Sequence, residues 1–243
     1  MVQTGEMGAQ LPCTACHEGA GIVTHTGSLV EPSDFKPGDR VMAGIFRDQC
    51  YKCESCTSPE LKNYRQYCPN VGGLRGVTTH GAFADYMIVD ARESVKIPDG
   101  VDFETAAPMA CADSTVYRAI LQAGIKSGGT ETLAIVGAGG GLGHLGCQFA
   151  RVLGIRVVSI DAKDEGLKLA KESGANIVLD ARKPQEQVAK EVHDATDGKG
   201  VDATVNLSDH EHAAALSCAI TKLHGTMVQI AQLICPQFYQ WGL

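Results

Sequence analysis

The stretch from Thr132 to Asp161, TLAIVGAGGGLGHLGCQFARVLGIRVVSID, limits what this chain can fold into more than any other. The apolar run Leu133 to Val136 stops at Gly137, and five of the next nine residues are glycine, which marks a strand entering a tight turn. Leu142, Leu145, Phe149 and Val152 then recur at i, i+3, i+7 and i+10, one stripe of a helix that closes at Gly154. A second strand, Arg156 to Ile160, ends on Asp161. Strand, glycine turn, helix, strand and acid, in that order, are the layout of a dinucleotide site: backbone amides and a helix N-terminus hold pyrophosphate, and the carboxylate accepts from ribose hydroxyls. A strict GxGxxG fits only Gly141, Gly143 and Gly146, too deep in the helix. The better register is Gly137, Gly140 and Gly143, with Gly141 and Leu142 in the same turn. The plain alternative is a glycine-rich turn that packs tightly and binds nothing.

The alternation continues after Asp161. A helix around Leu167 to Glu172 closes at Gly174, and Ile177 to Leu179 reads as a strand. A helix from Pro184 carries Val188, Val192 and Ala195 on one face, and Val201 to Val205 is a strand. Ser208 and Glu211 predict a capping box opening the next helix, before a strand from Met227 to Ile230. Five strands separated by four helices imply an α/β, doubly wound parallel sheet. The tail QLICPQFYQWGL fits neither period and supplies no sixth strand.

The first half reads differently. Glycines at 19, 21 and 27, the apolar pairs Ile22–Val23 and Leu29–Val30, and Pro37-Gly38 before Arg40 to Met42 predict short strands and turns in a β-rich domain. The alternation from Phe83 to Val89 predicts another strand, and Asp102 to Ala123 two helical stretches interrupted near Pro108. Four of the ten cysteines are bunched as Cys50-x2-Cys53-x2-Cys56-x11-Cys68. In a reducing compartment this spacing suits a closed tetrahedral zinc better than disulfides, with buried thiols or a redox pair as the alternatives. His17 and Glu18 also stand out, since a neutral imidazole is a good zinc ligand and an adjacent carboxylate can support one; an ordinary strand end fits the pair as well. Cys111, between the two helical stretches, is by itself the kind of cysteine that is usually a small buried residue. His210 and His212 have no partner pattern and read as surface or core.

A net charge of −7 without a basic block argues against nucleic acid and anionic membranes as partners. No apolar run approaches a membrane span, and the first twenty residues have neither a basic start nor an apolar core, so a cytoplasmic location is expected.

Taken together, HEGAG at 17 to 21, the cysteine lobe, Cys111 before STVYRA, and the glycine turn with Asp161 resemble the zinc-containing medium-chain alcohol dehydrogenases, most closely the yeast and fungal type. The resemblance implies a GroES-like catalytic domain over residues 1–114 and a Rossmann domain over residues 115–243, with five of six strands present. It further implies oxidation of a primary or secondary alcohol to an aldehyde or ketone, by hydride transfer to NAD. Carried over, His17 and Cys111 match ligands of the catalytic zinc and Glu18 the acid behind it. Cys50, Cys53, Cys56 and Cys68 match the structural zinc set. Gly137, Gly140, Gly141, Leu142 and Gly143 match the cofactor turn, and Asp161 the ribose acid that favours NAD over NADP.

Three departures qualify the resemblance. The family's first zinc ligand, in a Cys-His-Thr-Asp segment, aligns upstream of Met1, so the chain is expected to lack one ligand and to turn over poorly. Cys16, where the family has glycine, should point away from His17 and be a poor substitute, as should Cys13. Family members are homo-oligomers through the sixth strand, and x11 in the cysteine lobe exceeds the family's x7. Two other readings stay open: a non-catalytic, zinc-stabilised dinucleotide-binding protein, and a zinc-independent quinone reductase-like enzyme.

Overall fold

A computed structural model describes residues 11–58 and 64–231. The chain divides into two compact units, residues 1–111 and 112–243. The expectation for the tail concerns residues 232–243, which lie outside the described residues.

In the second unit the run Thr132 to Val136 is β6, the middle strand of a five-stranded sheet and buried at all five positions. Successive side chains of a strand point to opposite faces, and both faces of β6 are used. Leu133 and Ile135 pack with Ala119 and Ile120 of α3 (Ser114–Gln122) and with Cys147 and Ala150 of α4 (Gly141–Val152). Ala134 and Val136 pack with Val188 and Val192 of α6 (Gln185–Asp194) and with Leu216 and Ile220 of α7 (Ala213–Ile220). A strand covered on both faces must be apolar at consecutive positions, which explains why Leu133 to Val136 do not alternate with polar residues. Each fully buried side chain of this size contributes about 1.5–3 kcal/mol to the fold.

The sheet runs β10-β9-β6-β7-β8, all parallel, with β7 at Arg156–Asp161, β8 at Ile177–Asp180, β9 at Val201–Asn206 and β10 at Thr221–Gln229. Helix α5 (Asp164–Glu172) joins β7 to β8. The chain leaves β6 toward β7 on one side while β9 pairs on the other, so the connections diverge at the carboxyl end of β6. That is where a doubly wound sheet leaves a crevice.

The first unit is built from short strands: β1 (Gly19–Ile22), β2 (Arg40–Ala43) and β5 (Ser94–Lys96) form an antiparallel sheet in the order β1-β2-β5. β3 (Phe46–Arg47) pairs with β4 (Gly73–Leu74), and the helices are α1 (Glu54–Thr57) and α2 (Phe103–Pro108). After Pro108 the backbone widens into a π-helical turn at Met109–Asp113.

Three expectations for local structure need correction. Phe83 to Val89 is not a strand: Gly81, Ala82 and Phe83 donate to Thr14, Cys16 and Ala15, and no ladder follows among the described residues. Apolar residues there occupy both parities, with Phe83, Tyr86 and Ile88 exposed, so pairing would bury no coherent face. Leu29 and Val30 form a turn instead of a strand, with Leu29 fully outward. Ser208 does not cap a helix; its hydroxyl accepts from the His210 amide at 3.3 Å, and α7 starts only at Ala213. A serine hydroxyl bonded two residues ahead stabilises a turn at the expense of the helix start.

Candidate functional site

The cysteine lobe follows β3. Tyr51 has φ 52°, a left-handed conformation that turns the chain sharply after Cys50, and Cys53 immediately precedes α1. The helical turn brings Cys56 back under Cys53, with the Cys56 amide donating to the Cys53 carbonyl at 2.9 Å. Cys68 returns after the lobe and is buried. The sulfur separations are 3.5 Å for Cys53–Cys56, 3.8 Å for Cys53–Cys68 and 3.6 Å for Cys68–Cys50. A tetrahedral ion with arms of about 2.3 Å requires edges of about 3.8 Å, so the four sulfurs already stand close to zinc geometry.

The electrostatics agree with that geometry. The Lys52 and Cys53 amides donate to Cys50 Sγ and bring its thiol down to about 6. Burial and the neighbouring Cys53 sulfur push Cys56 up to about 12, and burial raises Cys53 as well. Four thiolates this close cannot coexist without a cation to neutralise them. The lobe is pinned to the turn just before β5 by Tyr51, whose hydroxyl donates to Glu93 Oε1 at 2.6 Å under the Arg92 guanidinium, 4.3 Å from the ring centroid. Burial and Glu93 push the Tyr51 phenol up to about 12, so it remains a donor.

The second donor group in this unit is assembled from distant parts of the chain. His17 lies just before β1 and Cys111 in the π-helical turn after α2, an irregularity of a kind frequent at functional sites. His17, Glu18 and Cys111 each offer an atom within 4.8 Å of the others. A nitrogen, an oxygen and a sulfur donor in that arrangement suit zinc. Cys16 has φ 79° and turns its thiol to the Glu18 carbonyl at 3.2 Å, while the Cys13 thiol donates to the Thr79 carbonyl at 3.5 Å. Among the described residues, therefore, Cys111 is the one thiol in this group. The turn that presents His17 is held by close packing that sequence reading missed: a Cβ on Gly81 would stand 2.1 Å from the Cys16 carbonyl oxygen. Such a contact joins residues too far apart in sequence to leave a local pattern.

In the second unit Gly137 takes φ +82° at the end of β6, and Gly140 precedes α4 in an extended conformation. Among the described residues no side chain caps α4, which leaves its first amides to meet an anion. Gly143 allows the helix to close on the turn, since a Cβ there would lie 2.2 Å from the Gly137 carbonyl oxygen. Asp161, ending β7, is clasped by backbone: Oδ2 accepts from the Gly139 amide at 2.8 Å and Oδ1 from the Lys163 amide at 3.0 Å. Gly166 makes room for it, as a Cβ would come within 2.4 Å of Oδ1. Beside these groups is a cavity of about 610 Å³ that Gly137, Gly140 and Asp161 line. Gly141, Leu142 and Gly143 do not line it; they form the helix start behind it. Gly139, Gly166 and Lys163 line it too, as do His210 and His212, which the sequence reading had set aside. Spacing alone could have flagged Gly139; only the approach of α5 reveals Gly166.

Comparison with known proteins follows the same division. The alcohol dehydrogenase GroES-like domain family matches residues 1–99, and the zinc-binding dehydrogenase family matches residues 141–237. The alcohol dehydrogenase of Schizosaccharomyces pombe is 37% identical over 223 residues, covering 92% of this chain and 61% of that protein. Alcohol dehydrogenase 1 of Emericella nidulans is 36% identical over 221 residues, with 91% and 61% covered. The chain thus spans about three fifths of the length of these relatives. Among solved structures, the alcohol dehydrogenase of Aeropyrum pernix superposes with a TM-score of 0.79 at 28% identity, covering 96% of this chain and 67% of that one. The alcohol dehydrogenase of Thermus sp. ATN1 gives 0.83 at 24% identity, with 94% and 64% covered, a likeness of fold.

A β-rich unit with clustered metal donors, followed by a doubly wound sheet with a glycine turn, is the architecture of the two-domain dehydrogenases. The chain belongs to the zinc-containing medium-chain alcohol dehydrogenase family.

Proposed function

We propose that this chain carries the machinery for oxidising a primary or secondary alcohol to an aldehyde or ketone with NAD as hydride acceptor. In this reading residues 1–114 are the catalytic domain and residues 115–243 the cofactor domain. Cys50, Cys53, Cys56 and Cys68 hold a structural zinc, supported by sulfur separations of 3.5 to 3.8 Å. His17 and Cys111 hold a second zinc with Glu18 within reach, and that ion, when bound, supplies Lewis acidity toward an alcohol oxygen. Gly137, Gly140, Gly141, Leu142 and Gly143 form the turn that receives the cofactor pyrophosphate on the α4 amides. Asp161 accepts from the ribose hydroxyls and repels a 2′-phosphate, which favours NAD over NADP. Its backbone clasp keeps the carboxylate fixed before any ligand arrives.

The convergence of His17, Glu18 and Cys111 is the observation that carries this reading, because a metal held by donors of this kind can lower the pKa of an alcohol oxygen. The test combines zinc content, NADH fluorescence titration and NADH formation from a series of primary and secondary alcohols. Two zincs per chain with alcohol-dependent NADH formation support it; alcohol-independent absorbance in zinc-loaded protein that binds NADH overturns it.

A second reading, a zinc-stabilised dinucleotide-binding protein without turnover, has its own observation. The His17 group holds a single thiol among the described residues, where the family resemblance implies two. Slow turnover by this chain is expected on the same ground. Binding of NADH with one tightly held zinc and no turnover favours this second reading.

A further inference from the structure

Helix α5 carries a buried glycine at its third position, Gly166, although glycine costs a helix more than any residue except proline. Two close approaches account for it. A Cβ on Gly139, in the turn after β6, would stand 2.0 Å from the Gly166 Cα, so the start of α5 and the glycine turn meet backbone to backbone. A Cβ on Gly166 would stand 2.4 Å from Asp161 Oδ1 and 2.7 Å from its Cγ, so the carboxylate fills the space that any other side chain would take. The helix cannot back away cheaply, because Ala170, one turn on, is fully buried in the core with Leu133 and Ala150.

The carboxylate held in that space is committed on one side only. Oδ2 accepts from the Gly139 amide at 2.8 Å and Oδ1 from the Lys163 amide at 3.0 Å. Each oxygen keeps a second lone pair, and Asp161 lines the cavity, so two acceptors remain for two adjacent hydroxyls. The same wall carries Lys163, Glu165, Lys183 and Asp209. Both oxygens of Glu191 already accept from the Lys183 ammonium, at 2.8 and 2.9 Å. Three acids against two lysines, one of them neutralised, leave the wall negative, and Asp161 is the acid whose direction two amides fix.

We propose that Gly166 is the positioning residue for Asp161. By placing no side chain at the start of α5, it lets the two amides aim the carboxylate into the cavity, and so sets the preference for a ribose with free hydroxyls over one carrying a 2′-phosphate. The proposal rests on the dinucleotide reading given above. The effect of Gly166 passes through Asp161, so changes at the two residues are not additive.

The test compares the whole chain with Gly166→Ala, Asp161→Ala and the double variant, each titrated by fluorescence with NADH and with NADPH. Gly166→Ala should bind NADH about tenfold more weakly, with NADPH changed less than about twofold, so that the preference falls about tenfold. Asp161→Ala should lower the preference at least as far. Adding Gly166→Ala to it should change neither affinity by more than about twofold, since the carboxylate that a Cβ displaces is gone. An unchanged preference in Gly166→Ala overturns the proposal, as does equal weakening of both cofactors, which signals a distorted turn. A double variant about tenfold weaker than Asp161→Ala overturns it too. If Gly166→Ala does not fold, the double variant decides: it should fold and bind as Asp161→Ala does, and its failure refutes the positioning role. Equal binding of NADH and NADPH by the unaltered chain also refutes it, whereas an unaltered chain that binds neither removes the dinucleotide reading itself and this proposal with it.

Discussion

The two donor groups of the first unit are built in opposite ways. The four thiols of the lobe fall between Cys50 and Cys68, a short interval of chain that brings them together within one loop. His17 and Cys111 stand near opposite ends of the unit, and they meet because the chain before β1 and the widened turn after α2 are placed by the unit's packing. The difference concerns what a metal does for the fold. In a lobe whose described residues bury almost no apolar side chain besides Cys68, binding energy is folding energy. A site whose donors are already positioned by a packed unit gains little stability from its ion, and with fewer protein donors among the described residues that ion exchanges more readily.

The strongest way to break this comparison is Cys53→Ser. The closed set loses a ligand, so the tightly held zinc should fall from about one per chain to nearly none after treatment with a chelator. Amide exchange at Gln49 to Cys56 should become fast while β6 stays protected. Zinc retained through chelation in this variant would show that the lobe is not a four-thiolate site.

Cys111→Ser tests the other half. It should abolish the second, exchangeable zinc and leave the first in place, with the melting temperature moved by no more than roughly 2 °C, since no packed core residue is lost. A melting shift as large as that of Cys53→Ser would mean that the His17 group also holds the unit together.

The smallest effect on zinc content should come from Tyr51→Phe, which removes the hydroxyl that ties the lobe to Glu93. The loss of one hydrogen bond to a carboxylate should cost about 1 kcal/mol, a shift of roughly 2–4 °C, with zinc content unchanged. Loss of zinc in this variant would show that the lobe depends on its anchor, and would weaken the contrast between a self-contained site and a tertiary one.

Much of the arrangement was legible in the sequence because it is written in short intervals. Cysteines three apart bring sulfurs together on a turn, an apolar run ending in glycine marks a strand entering a turn, and an acid closing the next strand falls beside that turn. The residues that escaped notice act through packing. Gly81 fits against Cys16 from far along the chain, and Gly166 makes room for Asp161 because α5 folds back over the end of β7. Neither contact leaves a periodic trace. Ser208 misled for a related reason: its pattern with Glu211 fits a helix start, but the hydroxyl serves a turn, and Ala213 to Ile220 make the helix without it.

By itself, then, the sequence determined the class of each domain, the order of strands and helices in the second unit, and the two compact motifs whose geometry follows from backbone periodicity. The tertiary structure decided the rest. It brought His17 and Glu18 to Cys111, turned Cys13 and Cys16 toward backbone carbonyls, clasped Asp161 between two amides, and stood His210 and His212 at the cavity wall. Each of these outcomes depends on how separate elements pack, and packing is set by the shapes of residues that the chain brings together only once it has folded.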